Sequence, residues 1–212
     1  MAEIIPAILP RSFEELEAGL AHLKGVAPLV QIDLVGTNIL ADREAPPLWE
    51  EFDFEFDIML PNPAAEVARY IELGASRIVV HAHSVNAREA VQFLQQYRGG
   101  AYPVEVGVAL ASHGEIEMLQ QFDGLYDYVQ VMGIAHVGKQ GEPFDPRALQ
   151  TIKELRAAYP ELVIQVDGAA ATHPRELVEA GANRLVVGSA IINAANPKET
   201  LLSLYNKANV GQ

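Results

Sequence analysis

Eight short apolar runs rich in β-branched residues recur along the chain at a steady spacing, and this recurrence limits the possible folds more than any other feature. The runs are Ile4 to Leu9, Leu29 to Val35, Phe54 to Leu60, Arg77 to Ala82, Val104 to Leu110, Tyr128 to Gly133, Leu162 to Asp167 and Arg184 to Gly188. Between them lie segments of helical periodicity, such as Phe13, Leu16, Leu20 and Leu23, or Ala87, Ala90, Val91 and Leu94. Helix starts are marked by Ser12 with Glu15, by Ser112 with Glu115, and by Asn62-Pro63, Asp145-Pro146 and Asn196-Pro197. Gly25, Gly74, Gly99, Gly124 and Gly181 fall where helices should stop. Strand is therefore expected to alternate with helix eight times. Such a pattern closes most simply into an α/β fold, a single (β/α)8 TIM barrel over residues 1–212. An open doubly wound sheet is the rival, but Leu9-Pro10-Arg11-Ser12 follows the first run where that fold often places a glycine-rich loop.

An internal echo agrees with the count. Glu72-Leu-Gly-Ala-Ser-Arg-Ile-Val-Val80 resembles Glu179-Ala-Gly-Ala-Asn-Arg-Leu-Val-Val187, which places matching turns before the fourth and eighth strands.

Composition narrows the function. A net charge of −13, with no cluster of lysine and arginine to offset it, argues against nucleic acid and anionic membrane as partners. It leaves room for a small phosphorylated ligand, because helix N-termini bind phosphate through backbone N–H groups. The absence of cysteine excludes disulfides, thiolate metal sites and a cysteine nucleophile. Apolar stretches stay far below the roughly 20 residues that span a bilayer, and no leader pattern opens the chain, so a cytoplasmic location is expected.

Side chains alternate across a strand, so the barrel interior can be read from parity. If Ile32 and Leu34 face the helices, Gln31 and Asp33 face inward. The same parity turns inward Glu55, Asp57 and Met59, then His81 and His83, Glu105, Gln130 and Met132, and Gln165 and Asp167. Barrel cores are usually filled by Val, Ile and Leu, and each unsatisfied buried polar group costs about 1–3 kcal/mol. The deeper set, Gln31, Glu55, His81, Glu105, Gln130 and Gln165, reads as a mutually satisfied hydrogen-bond network. The upper set lies at the C-terminal strand ends, where this architecture carries its active sites. It includes Asp33, Asp57 and Asp167. Two readings stay open for three converging carboxylates: they bind a hard divalent cation such as Mg²⁺ or Mn²⁺, or one is protonated and the set does acid/base work.

Small residues at the last two strand ends, Gly168 and Ala169, then Gly188 and Ser189, suit a phosphate, which this fold binds in the loops after strands seven and eight. The glycine-rich segment from Gly133 to Phe144 could close over a substrate, adding Gly138, Gln140 and Gly141 to the phosphate site. Ala7, Met59, His83, Met132, His136 and Lys139 complete the expected substrate pocket. His22, His113 and His173 fall in or at the start of helices, where surface or capping roles are expected.

Several of these segments resemble the ribulose-phosphate 3-epimerase family across essentially the whole chain. Pro6-Ala-Ile-Leu9 is similar to the family's Pro-Ser-Ile-Leu, Gln31-Ile-Asp33 to its His-x-Asp, and Asp57-Ile-Met-Leu-Pro-Asn-Pro63 to His-Leu-Met-Val-x-x-Pro. Val131-Met132, Val166-Asp167-Gly168 and Val187-Gly188-Ser189 resemble the starts of its last three active-site loops. The resemblance implies that Asp33 and Asp167 exchange a proton at C3 of a ketose phosphate through an enediolate. It also implies a divalent metal held by both aspartates and two histidines, whose positions are Gln31 and Asp57 here. That exchange of ligands shifts the preference from Zn²⁺ or Fe²⁺ toward Mg²⁺ or Mn²⁺, or removes the metal altogether. Ala7 replaces a serine, Gly36 an aspartate and Ala169 a glycine. An epimerase or isomerase is the leading expectation, and a sugar-phosphate-binding barrel with altered or lost catalysis is the alternative. An Asp-x-Lys-x-x-Asp run like that of related decarboxylases is missing. A homodimer is expected from the same resemblance.

Overall fold

The computed structural model describes residues 1–36, 38–43, 45–114, 116–138 and 141–210. Each of the eight runs is a strand with ends shifted by at most two residues: β1 (Glu3–Ile8), β2 (Leu29–Val35), β3 (Asp53–Met59), β4 (Ala75–His81), β5 (Glu105–Leu110), β6 (Tyr128–Met132), β7 (Val163–Asp167) and β8 (Arg184–Val187). Neighbouring strands pair in parallel in sequence order and β8 pairs with β1, which closes the barrel. Closure leaves no unpaired edge.

The helices are α1 (Phe13–Leu23), α2 (Val67–Glu72), α3 (Ala87–Leu94), α4 (Arg147–Ala158), α5 (Pro174–Ala180), α6 (Ser189–Ile192) and α7 (Pro197–Ala208). Strict alternation does not hold. The described residues between β2 and β3 form turns only, and a 3-10 helix over Ile116–Phe122 stands between β5 and β6. Ser12 caps α1 by accepting from the Glu15 N–H at 3.2 Å, and Asn196 caps α7 by accepting from the Glu199 N–H at 3.2 Å. Asn62 makes no side-chain cap bond, and Pro146 takes the N-cap position of α4, with Asp145 accepting from the Arg147 N–H at 3.1 Å. Glu115 lies outside the described residues.

The principal apolar core lies between sheet and helices. Phe54, Phe56, Ile32, Leu34, Ile78, Val80, Val106, Val108, Val129, Val131, Ile164 and Val166 face outward from the barrel and pack against Leu16, Leu20, Leu94, Ile152 and Leu177 of the surrounding elements. Among the described residues two small apolar clusters lie inside the barrel, Ile5, Ala7, Leu29 and Val186 on one side and Val79, Ala109 and Tyr128 on the other.

Polar side chains fill the rest of the interior. At its N-terminal end, Glu105 pairs with Arg77 at 3.2 Å and with Arg184 at 2.9 Å, and both arginines approach Glu3. Arg77 and Arg184 are the matching arginines of the sequence echo, so the repeat delivers two cations to one floor. Above them sit Gln31, Glu55, Gln130 and Gln165, all fully buried.

Candidate active site

One oxygen each of Asp33, Asp57 and Asp167 lies within 4.8 Å of the other two. Register explains the meeting. Asp33 stands opposite Asp57 across the β2–β3 pairing, and Asp167, the last residue of β7, reaches the same level from the far side of the barrel. Asp57 is fully buried, Asp167 is 8% exposed and Asp33 is half-buried.

Each carboxylate has defined partners. Asp33 Oδ1 accepts from Gln31 Nε2 at 2.7 Å. Asp57 accepts on both oxygens, from Gln130 Nε2 at 2.7 Å and from His81 Nε2 at 2.8 Å. Burial, then the charges of Asp167 and Asp57, push the Asp33 carboxyl well above the usual range. Burial and Asp57 raise Asp167 to about 7, against the opposing pull of the Gly168 N–H and His81. For His81, burial disfavours the imidazolium, but the Asp57 charge and hydrogen bond outweigh it and its pKa rises. The arrangement thus holds at least one proton at neutral pH that isolated aspartates would release.

A cavity opens over the aspartates at the C-terminal strand ends. Of the residues expected there, Ala7, Asp33, Met59, Met132, Gly138, Gly141, Asp167, Gly168, Ala169, Gly188 and Ser189 line it. Leu9, Ile134, Glu142, Ala170 and Ala190 line it as well, Ala170 and Ala190 continuing the small-residue strand ends and Ile134 and Glu142 belonging to the glycine-rich segment. Asp57 lies beneath the lining, and Gln31 lies one layer lower, its Oε1 accepting from Gln165 Nε2 at 3.2 Å. Gln31 therefore serves as a donor to Asp33, with its only side-chain oxygen directed away from the aspartates.

Two expected pocket histidines stand elsewhere. His83 is exposed because β4 ends at His81, so strand parity no longer governs where it points. His136 is exposed on the loop after β6 and pairs with Glu142 at 3.0 Å. Lys139 and Gln140 lie outside the described residues. Conversely, His81 belongs beside Asp57 rather than in the lower network.

The backbone around the cavity is tightly drawn. Gly168 has φ +93° and the following Ala169 φ +52°, so the chain turns sharply under the opening. A Cβ on Gly133 would overlap the Gly168 carbonyl oxygen, which ties the loop after β6 to the loop after β7. Ser189 begins α6, and the first N–H groups of a helix have no intrahelical partner.

Comparison with known proteins yields three findings. The sequence profile described as the ribulose-phosphate 3 epimerase family matches residues 4–192. Relatives named ribulose-phosphate 3-epimerase include that of Schizosaccharomyces pombe, 26% identical over all of this chain and 96% of the relative, and that of Bacillus subtilis, 28% identical over 95% and 97%. Among solved structures, KGPDC from Streptococcus mutans superposes with a TM-score of 0.73 at 14% identity, covering 98% of this chain and 97% of that one. The 3-hexulose-6-phosphate synthase of Salmonella typhimurium gives 0.71 at 13% identity, over 97% and 98%. At such identities these structures speak for the barrel fold alone.

Proposed function

The chain belongs to the ribulose-phosphate 3-epimerase family, and on that premise we propose that it epimerises a ketose phosphate by proton transfer between Asp33 and Asp167. The observation that carries this reading is the position of these two acids. Both line one cavity, on strands from opposite sides of the barrel, with raised affinities for protons.

Inverting a carbon next to a carbonyl requires a base on one face to remove the proton and an acid on the other to return one. With Asp167 raised to about 7, an ionised fraction is present at neutral pH to act as base. Asp33, raised by burial and by the charges of Asp167 and Asp57, is the acid on the opposite strand that returns a proton. Epimerisation is reversible, so the two exchange roles with the direction of turnover. Asp57 has both oxygens engaged by His81 and Gln130, and its position beside Asp33 and Asp167 helps to raise both of them. The Gly168, Ala169, Gly188 and Ser189 backbone offers the phosphate end, with Gly138 and Gly141 also lining the cavity.

The three aspartate oxygens form a donor set that fits a hard divalent cation, whose charge would offset their mutual repulsion. Mg²⁺ or Mn²⁺ held by Asp33, Asp57 and Asp167 would supply Lewis-acid stabilisation of negative charge on substrate oxygen. None of the helices among the described residues is long and apolar enough to cross a membrane. A rice relative, 30% identical over 73% of this chain, is named a cytoplasmic isoform, which supports a cytoplasmic setting. A homodimer belongs to the same reading.

The test is exchange of the C3 hydrogen of a pentulose phosphate with heavy water, followed by NMR. The wild type should exchange it. Asp33→Asn and Asp167→Asn should each lower turnover by about 10²-fold or more while remaining folded. A wild type that binds the sugar phosphate but exchanges no hydrogen with any pentulose or hexulose phosphate would instead identify a binding barrel. That outcome would fit the replacement of two implied histidines by Gln31 and Asp57.

A further inference from the structure

The layer beneath the aspartates has a direction. Gln165 lies two residues before Asp167 on β7, on the same face of the strand and fully buried. Its Nε2 donates toward Gln130 Oε1 at 2.8 Å and Gln31 Oε1 at 3.2 Å. Those two carboxamides in turn donate upward, Gln31 to Asp33 and Gln130 to Asp57, each at 2.7 Å. Two chains of hydrogen bonds thus run in the same sense from one nitrogen to two of the three aspartates.

We propose that Gln165 is a positioning residue, the hub that keeps the N–H groups of Gln31 and Gln130 turned toward Asp33 and Asp57. A carboxamide has a donor end and an acceptor end, so a half-turn about its last bond exchanges donation for acceptance. Glu55 Oε1 is a third acceptor beside Gln165 Nε2. Turning Gln165 over would set its oxygen against those of Gln31 and Gln130 together, and these two acceptors lock its sense. Gln31 and Gln130 are locked in turn, because their oxygens are held from below. Among the described residues, the Gln165 N–H groups are the side-chain donors to those two oxygens. Without them either carboxamide could rotate and present oxygen to carboxylate, a repulsive contact that displaces the acid it now supports. Gln165 does not line the cavity, so substrate contacts are left as they are.

The kinetic side of this inference rests on the two-aspartate reading, and the structural side does not. Gln165→Met keeps the length of the side chain and removes its N–H groups. With a pentulose phosphate, kcat should fall by about 10- to 100-fold while KM stays within about 2-fold, as expected when reacting groups are misplaced but binding contacts are kept. A folded Gln165→Met with unchanged kcat, or with KM raised as much as kcat is lowered, would overturn the proposal. Independently of activity and of any variant, wild-type NMR should show nuclear Overhauser contacts from the Gln31 Hε2 protons to Asp33 Hβ and from the Gln130 Hε2 protons to Asp57 Hβ. Their absence would sink it even if Gln165→Met fails to fold. Their presence in a wild type that exchanges no C3 hydrogen would remove the catalytic reading and keep the hub.

Discussion

Tyr128 brings its hydroxyl into the barrel interior without a hydrogen-bond partner among the described residues, while its ring lies beneath the Arg184 guanidinium, 5.0 Å from the centroid. The two ends of this side chain therefore have opposite value. Tyr128→Phe should keep the ring packing and the cation–π contact and remove an unsatisfied buried group, so its thermal midpoint should equal or exceed that of the wild type. Gly107→Ala tests the packing from the other side. Its Cβ would lie 2.5 Å from the Tyr128 ring, and a stability loss of about 1–3 kcal/mol or more should appear in denaturant titration. At this scale parity is a good guide to which face a side chain takes: Gln31, Asp33, Glu55, Asp57, Gln130, Gln165 and Asp167 all turn into the barrel. Parity says nothing of height. His81 counts as deep by its place on the strand, yet the stagger of a closed barrel lifts it level with Asp57, which pairs opposite Val79. His83 shows the other limit, since alternation ends where the strand ends.

Among the connecting elements, the segments after β6 and β7 behave as one. Gly133 N–H donates to the Asp167 carbonyl at 2.6 Å, and the Gly133 carbonyl accepts from the Asp145 N–H at 2.8 Å. A methyl group on Gly133 meets backbone, which cannot rotate away as a side chain does. Gly133→Ala should therefore lower the thermal midpoint by several degrees and weaken binding of inorganic phosphate or a sugar phosphate, measured by calorimetry, without touching any acid of the site. Regular spacing of strands made the barrel legible, because eight buried runs admit few closed arrangements. It also invited one helix too many. The segment between β2 and β3 contains Pro46-Pro47, which removes two N–H donors and blocks helical propagation, and its described residues form turns instead. The floor, by contrast, was written in the echo: Arg77 and Arg184 occupy equivalent places because each half of the barrel supplies one.

For the molecule as a whole, the buried acids predict an inverted pH profile. Asp167 at about 7 against an unfolded value of 3.8, and Glu55 at about 7 against 4.5, bind protons in the folded chain that the unfolded chain releases. Stability then falls as pH rises from about 4 to about 7. Asp33 shifts in the same direction, and the raised His81 adds stability that is complete below 6.5 and lost as pH climbs through its folded value. Asp145, held low by Arg147 and Ser112, acts the opposite way, and its contribution is lost only as pH drops below 3.8. Urea midpoints should accordingly be higher at pH 5 than at pH 8. The net charge of −13 adds self-repulsion in the same sense. Mg²⁺ or Mn²⁺ at millimolar concentration should raise the thermal midpoint at pH 8, and the rise should shrink at pH 5, where protons compete for the same oxygens. A chelator should reverse it.

The arginine–glutamate floor makes this barrel a cup rather than a tube. Cargo that reaches the acids must leave over the same rim it crossed on arrival, past Gly138, Gly141 and Gly188. Traffic in the two directions therefore shares a single doorway, and a departing sugar contends with the next one for it.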